Sequence, residues 1–371
     1  MCSVHTYVGA PLCAPHNSVC CSVQCAVLRV SYCGTGTHGA TLRAQEPLVK
    51  SAPALPPTVP DGGYGGLGYA NPGYGKGYTR DAPSPIAAVQ ALIARVGLDP
   101  TDFTLSSLAQ TADGLDTMQL AGDPGSGKVV LKGSSGVALA SCLNWYLNDW
   151  CNTTYDWNTY NLTMPAKLPL PPTEGTEVRP RTVKWGYYMN VCTMGYSLVF
   201  NTWEYWEKQI DWMAMNGINL PLAFVGQEWI WVEVFKEYGL TWDDLGSFFA
   251  GPAFLPWYRM GNIRGWAGAG LNPSAERKWT EERGQFQKKL LARMRGLGMT
   301  AVLSSFSGHI PKALADKNPE AKIRRSPNWG NMPTDYSTAK IHHANYASVY
   351  MLDPHDALFT ELGNKFVAKM V

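Results

Sequence analysis

Glu228 is the carboxylate of this sequence whose position most suggests catalysis. It lies in "GQEWIW", a few residues after the apolar segment "INLPLAF". The catalytic carboxylates of (β/α) barrels often lie just after a strand. Glycoside hydrolysis with retention needs a second carboxyl group about 5–5.5 Å away. No convincing partner follows the other apolar segments, so we favour a structural Glu228 that complements a helix N-terminus.

Cys192 and His309 offer a second chemistry, a thiol nucleophile activated by an imidazole base. They lie after different apolar segments, in "YYMNVCT" and "SSFSGHIP". Their spacing does not show that the two side chains meet. We therefore favour Cys192 as a small polar contact in a pocket wall.

Two tryptophans in loops could bind a ligand. Trp257 in "LPWYRMGN" and Trp329 in "SPNWGN" stand in stretches rich in Gly, Pro and Asn, where no periodic pattern explains burial. Flat aromatic rings stack well on the apolar faces of a sugar. Sugar stacking and simple loop packing both remain open for these two residues, whereas Trp206 and Trp212 have the helical spacing of core residues.

Alternating strands and helices must position these loops. From Trp185 onward three apolar segments, "KWGYYMNVCT", "INLPLAF" and "MTAVLSSF", alternate with helical patterns, and the last helix is expected to begin with Asp353 as its N-cap. Strands separated by helices indicate a parallel sheet. A complete (β/α)8 barrel has eight strands and about 250 residues. The sequence therefore predicts an incomplete TIM-type barrel over residues 185–371, comprising its first three βα units.

A small α/β domain is predicted over residues 84–170, followed by a Pro-rich linker over 171–184. Its first helix, "PIAAVQALIAR", has Ser84 as N-cap, Pro85 in its first turn and Gly97 as its stop signal. Three short strands and a second helix, "GVALASCLNWYLND", follow. The fold class is thus α/β throughout.

"GDPGSGKVV" resembles a phosphate-binding loop only in part. Gly122, Gly127 and Lys128 match the spacing, but Val129 stands where the loop needs Ser or Thr, and the next residues have a strand pattern. We interpret this segment as a β-hairpin turn, and we expect no nucleotide there.

The totals exclude several classes of protein. With 31 basic and 29 acidic residues, the charge balance gives no reason to expect a nucleic-acid partner, and no apolar run is long enough for a membrane span.

Residues 1–83, rich in Cys and then in Gly, Pro and Tyr, are expected to be a disordered or targeting extension without a clear signal peptide. The six cysteines before residue 34 include no C-x-x-C pair, so we expect no metal site there.

Long motifs in the second half resemble one enzyme family. "WEKQIDWMAMNGINLPLAF", "GPAFLPWYRMGN", "GMTAVLSSFSGHIP" and "NWGN" are similar to the lysosomal α-N-acetylglucosaminidases, the family 89 glycoside hydrolases. The resemblance extends more weakly through "KVVLKGSSGVALASCLNWYL". It implies an exo-acting, retaining hydrolase of terminal α-linked N-acetylglucosamine in glycans such as heparan sulfate, without cofactor and in a lysosomal or secreted location. It also implies four sugar-binding residues, namely Asn190, Cys192, Trp257 and Trp329.

The resemblance also implies that both catalytic residues are missing from this chain. The family's acid/base lies in an Asn-Glu pair after the fourth barrel strand, and its nucleophile follows a later strand. We therefore expect a truncated form that lacks both catalytic carboxylates and is inactive as given. The alternative is a non-catalytic carbohydrate-binding module, which a continuing reading frame with the Asn-Glu pair would exclude. The oligomeric state is not predictable from the sequence.

Overall fold

The computed structural model of the protein describes residues 84–159, 162–246, 248–266, 272–326 and 349–370. All of these belong to one compact unit, Thr79–Val371. The predicted extension over residues 1–83 and the candidate Trp329 lie outside the described residues.

The first part of this unit is a mixed four-stranded sheet with two helices packed on it. Its strand order is β1-β3-β2-β4; β3 runs parallel to β1 and antiparallel to β2. The first helix begins where Ser84 Oγ accepts the N–H of Ala87, and it stops before Gly97 at φ +88°. The elements are α1 (Pro85–Arg95), β1 (Phe103–Ser107), β2 (Thr117–Asp123), β3 (Lys128–Gly133), α2 (Gly136–Asp149) and β4 (Arg179–Pro180).

The glycine-rich segment between β2 and β3 is a hairpin turn, as predicted. Asp123 pairs with Lys128 across the antiparallel ladder, and Asp123 Oδ1 accepts the N–H of Gly125. Gly127 has φ +72°, a conformation that glycine adopts without strain. No helix follows this turn, so its N–H groups do not form the phosphate cradle of a nucleotide-binding loop.

The segment predicted as a linker lies along the sheet for part of its length. Strand β4 pairs antiparallel with β2. The N–H of Thr176 donates to the carbonyl of Leu120, and the N–H of Gly122 donates to the carbonyl of Pro172. These bonds satisfy backbone groups at the edge of the sheet, which the Pro-rich composition alone does not reveal.

The second part has parallel strands joined by helices. Strand β5 (Tyr187–Tyr188) is parallel to β6 (Leu220–Pro221), and Leu222 bridges in parallel to Val302, in the third predicted strand. This is the βα order that the sequence predicts, and it supports an α/β fold. The helices of this part are α3 (Thr193–Tyr196), α4 (Trp203–Met215), α5 (Gln227–Lys236), α6 (Trp242–Leu245), α7 (Leu255–Arg259) and α8 (Pro273–Gly296).

A small antiparallel sheet follows, which the sequence pattern did not predict. Its strand order is β7-β9-β8. The last helix starts later than predicted, because Asp356 Oδ1 accepts the N–H of Leu358, whereas Asp353 Oδ1 accepts the N–H of His355 in the preceding turn. The elements are β7 (His309–Ile310), α9 (Lys312–Lys317), β8 (Ile323–Arg325), β9 (Tyr350–Leu352) and α10 (Ala357–Met370).

Two hydrophobic clusters hold these elements together. The first is shared by α1, α2, α4 and the parallel strands, and includes the fully buried Trp206, as predicted. The second surrounds Trp231, whose ring centroid lies 5.3–5.6 Å from those of four phenylalanines. Aromatic pairs in edge-to-face and tilted geometries add to the burial of their large surfaces. The four phenylalanines are Phe235, Phe248, Phe306 and Phe366.

A buried carboxylate also links the two parts of the unit. Asp211 on α4 is 1% exposed. It accepts bonds from Arg95 of α1 at 2.6 and 2.9 Å, and from Arg293 of α8 at 2.8 Å. One carboxylate therefore pairs with two guanidinium groups from different elements.

We expect Asp211→Asn to destabilise the protein strongly, because it leaves two partly buried arginines with only the Glu207 carboxylate, at 3.8–4.0 Å, as a counter-charge. Breaking a buried ion pair by removing one partner typically costs about 3–5 kcal/mol. Urea unfolding at pH 7.5 measures this loss. Glu282→Gln, which removes the exposed Lys278–Glu282 pair at 3.9 Å, is the control and should change stability little. Equal effects of the two variants would contradict a structural role for Asp211.

Candidate functional site

Asn190 and Cys192 lie in the loop that follows β5. Asn190 is exposed and Cys192 is partly buried. Asn190 Oδ1 accepts the N–H of Cys192 at 2.7 Å, and its carbonyl accepts the N–H of Thr193 at the start of α3. The asparagine side chain thus folds the loop into a tight turn, which places Asn190 and Cys192 side by side.

Trp257 lies on α7, which packs against this loop. The ring of Trp257 is 6.1 Å from that of Tyr196, in an edge-to-face arrangement. A Cβ atom on Gly195 would lie only 2.2 Å from the ring carbons of Pro256, so only glycine allows this approach. The structure therefore brings the segments of three predicted site residues, Asn190, Cys192 and Trp257, to one place. The fourth residue, Trp329, lies outside the described part of the chain.

Glu228 is held in a buried ion pair that fixes α7. Its side chain is 1% exposed, and Arg259, at the end of α7, is 8% exposed. Arg259 Nε donates to Oε1 and one terminal nitrogen donates to Oε2, both at 2.7 Å. This two-point geometry is the strong, directional form of an arginine–carboxylate pair. Glu228 lies in the first turn of α5, where the sequence places it at a helix N-terminus, and it also has a side-chain partner in Arg259.

Sequence reasoning missed Arg259 as this partner. The signal that could have found it is an arginine inside the apolar run "FLPWYRMG". A charged residue in such a run must either reach solvent or meet a buried counter-charge. Glu228 stands in an equally apolar helix, so the two charges are complementary.

Glu276 and Tyr258 lie close to this pair, and the pKa of each side chain is raised. Glu276, on α8, is 7% exposed, and burial raises its pKa to about 7, with a further rise from the charge of Glu228. Burial also raises the pKa of the Tyr258 hydroxyl well above its ordinary value, and Glu228 adds to that effect. The negative charge of Glu228 is thus balanced by Arg259, and its acidic neighbour is neutral at acid pH.

His309 is enclosed by aromatic rings. Its ring centroid lies 4.7 Å from that of Phe248 and 5.0 Å from that of Tyr258. Burial, with a smaller effect of Arg264, lowers the pKa of His309 to about 3. No described hydrogen bond joins His309 to Cys192, so the thiol–imidazole pair considered from the sequence does not form in the described residues.

The described residues offer no group of three or more His, Cys, Asp or Glu side chains that could hold a metal ion. Within the same part of the chain, no helix is both long and apolar enough to cross a membrane.

The fold is mixed α/β, and the loop after its first parallel strand packs against the helix that carries Trp257. Residues 186–371 match the family model of the alpha-N-acetylglucosaminidase (NAGLU) tim-barrel domain, and residues 87–170 match the model of its N-terminal domain. The chain belongs to the alpha-N-acetylglucosaminidase family.

Individual relatives agree with this assignment. Human alpha-N-acetylglucosaminidase is 40% identical over 299 residues, which cover 80% of this chain and 38% of the human protein. A Clostridium perfringens family 89 glycoside hydrolase, solved with 2-acetamido-1,2-dideoxynojirmycin, is similar with 29% identity and a TM-score of 0.65 over 77% of this chain. A variant of the bacterial enzyme, solved with its substrate GlcNAc-alpha-1,4-galactose, gives 28% identity and a TM-score of 0.64. This chain spans 31% of each bacterial chain.

Glu228→Gln should lower the free energy of unfolding by about 3–5 kcal/mol, because it leaves Arg259 buried beside a neutral amide. Chemical denaturation measures this change. The matched control is Glu233→Gln on the same helix, since Glu233 forms a partly exposed pair with Lys236 and should matter little. A loss below about 1 kcal/mol for Glu228→Gln would mean that the pair does not hold α7 in place.

Glu276→Gln should change how stability depends on pH. The glutamate ionises near pH 4.5 when unfolded and near pH 7 when folded, so the folded state retains a proton that the unfolded state loses. Its stabilising contribution is therefore present below pH 4.5 and declines as the pH rises to 7. The variant should match the natural protein at pH 4.5 and exceed its stability by on the order of 2 kcal/mol at pH 7.5.

Urea unfolding at several pH values between 4.5 and 7.5 checks this expectation. Glu281→Gln on the same helix is the control, because Glu281 is exposed and pairs with Arg277 on the surface. Comparing each variant with the natural protein at the same pH cancels the opposite contribution of His309. A difference that stays constant over this pH range would show that Glu276 does not titrate as described.

Proposed function

We propose that this chain carries the N-terminal domain and part of the barrel of an exo-acting, retaining α-N-acetylglucosaminidase. The substrate would be a glycan with a terminal α-linked N-acetylglucosamine, such as heparan sulfate. The match of residues 186–371 to the family's barrel domain is the observation that carries this proposal. The bacterial relative crystallised with GlcNAc-alpha-1,4-galactose supports the class of substrate. A lysosomal or secreted location is part of the same proposal.

Four residues are proposed to bind the sugar ring. The partly buried Trp257 offers an aromatic face, and the exposed side chain of Asn190 lies on the adjoining loop. A sugar needs such a combination, because its C–H faces are apolar and its hydroxyl and acetamido groups form hydrogen bonds. The proposed residues are Asn190, Cys192, Trp257 and Trp329.

The two catalytic carboxylates are proposed to lie in segments of the family that these 371 residues do not include. Hydrolysis with retention needs one carboxyl group to protonate the leaving oxygen and another to attack the anomeric carbon. Glu228 fills neither role, because both of its oxygens accept bonds from Arg259 and its side chain is buried. The matched part is 38% of the human enzyme, so the rest of that enzyme is long enough to contain both carboxylates.

Trp257→Ala should weaken sugar binding without unfolding the protein. Losing an aromatic wall costs on the order of 1–2 kcal/mol, which corresponds to a five- to thirtyfold rise in KM. The measurement uses p-nitrophenyl α-N-acetylglucosaminide and the enzyme and its variants, each expressed from the full reading frame. Trp185→Ala is the control, because Trp185 is 49% exposed and precedes β5. An unchanged KM for Trp257→Ala would remove Trp257 from the pocket.

Residues 1–371 alone should show no turnover of the same substrate between pH 4 and 7. A positioned acid or base contributes roughly 10²–10⁴-fold to the rate, so the loss of both catalytic groups leaves no practical activity. Any turnover by residues 1–371 would contradict the proposal, and turnover that a folded Glu228→Gln variant lacks would make Glu228 catalytic. A full-length protein that binds N-acetylglucosamine but never hydrolyses the α-linked substrate would instead support the alternative, a non-catalytic carbohydrate-binding module.

A further inference from the structure

Asn152-Thr153-Thr154 forms an exposed acceptor pattern for N-linked glycosylation. We propose that Asn152 carries an N-linked glycan. The chain has one other such triplet, at Asn161, which the structure does not describe. A third candidate, Asn272-Pro273-Ser274, is blocked by its proline, and Asn272 instead caps α8 by accepting the N–H of Ala275.

The backbone presents Asn152 on a tight turn. Asn152 has φ +51° and lies three residues after Asp149, the last residue of α2. The N–H of Cys151 donates to the carbonyl of Tyr146, and the N–H of Thr153 donates to the carbonyl of Leu147. Asparagine and glycine are the residues that adopt this conformation most easily. Glycine would also adopt this positive φ, so the backbone conformation does not by itself explain why Thr154 follows two residues later.

Both reactive side chains of the triplet are accessible. Asn152 and Thr154 are exposed, and the side-chain amide of Asn152 has no hydrogen-bond partner among the described residues. The hydroxyl of Thr154 donates to Asn148 Oδ1 at 3.1 Å, on the surface. A glycan on Asn152 therefore displaces no contact that the fold uses.

An aromatic residue stands next to this acceptor. Trp150, two residues earlier, is partly exposed and lines a surface cavity of about 320 Å³ together with Thr176, Glu177 and Arg179. Its ring offers an apolar face beside polar groups, the surroundings in which the first sugar of a glycan packs well.

The modification is a group transfer without oxidation or reduction. The amide nitrogen of Asn152 bonds to C1 of the reducing-end N-acetylglucosamine of a lipid-linked pyrophosphate oligosaccharide. The bond from C1 to the pyrophosphate oxygen breaks, the lipid pyrophosphate leaves with the electron pair, and the amide loses one proton. An oligosaccharyl transferase of the secretory pathway supplies the donor and the catalysis.

This inference rests on the secretory route that is part of the proposed function, but its test does not read enzyme activity. The full chain, Met1–Val371, is fused to a cleavable secretory leader and translated with rough microsomes. Only protease-protected chains are analysed, so that every chain compared has entered the lumen. Asn161→Gln is present throughout, and three variants are added, namely Asn152→Gly, Thr154→Val and Thr154→Ser.

We expect the chain with Asn152 and Thr154 to gain one glycan, seen as a mobility shift that peptide N-glycosidase removes. Thr154→Ser keeps the hydroxyl and should keep the shift. Asn152→Gly keeps the positive φ, and Thr154→Val keeps the side-chain shape, yet both should lose the shift. A protected chain without the shift, or a shift that survives Asn152→Gly, would overturn the assignment. Neither result depends on whether the enzyme hydrolyses N-acetylglucosaminides.

Discussion

The buried ion pair between Glu228 and Arg259 is the constraint on which the candidate site depends. Moving two charges from water into a protein interior costs several kcal/mol per ion unless their geometry is close to ideal. Here two bonds of 2.7 Å satisfy both groups at once. The pair ties α5, which follows the second parallel strand, to α7, which carries Trp257. The pair therefore helps to hold in place the helix that carries Trp257 of the proposed sugar pocket.

Two buried groups, Glu276 and His309, respond to pH in opposite directions. Glu276 stays protonated up to about pH 7 because it is buried near a second carboxylate, so near pH 5 it adds no charge to the interior. His309 acts in the opposite direction, since its pKa of about 3 means that the unfolded chain binds a proton there more readily below pH 6.5. A protein proposed to work in a lysosome or outside the cell thus contains one buried group that favours the folded state at low pH and one that opposes it.

Local sequence signals predicted the helices and strands better than they predicted which residues of different elements pair with each other. Ser84, Pro85 and Gly97 determine their helix by short-range rules, and the parallel order of the strands follows from the alternation of apolar and helical segments. The pairing of Glu228 with Arg259 joins residues 31 positions apart, and no periodic pattern encodes it. The antiparallel sheet was missed for a related reason, because its strands are only two or three residues long and their pairing is set by tertiary packing.

The candidate site was accessible from the sequence mainly through resemblance. Loop position and residue type left Trp257 open between sugar stacking and loop packing, and the structure adds that its helix meets the Asn190 turn through Gly195 and Pro256.

The most direct test of the central claim is a double-mutant cycle between Glu228 and Arg259. The free energy of unfolding is measured for the natural protein, for Glu228→Gln, for Arg259→Gln and for the double variant. Residues in one buried ionic contact show coupling energies of up to about 3 kcal/mol, whereas independent sites agree within about 0.5 kcal/mol. The account predicts a favourable coupling of about 2 kcal/mol or more. Additive effects of the two substitutions would contradict it, because α7 would then be held in place by packing alone.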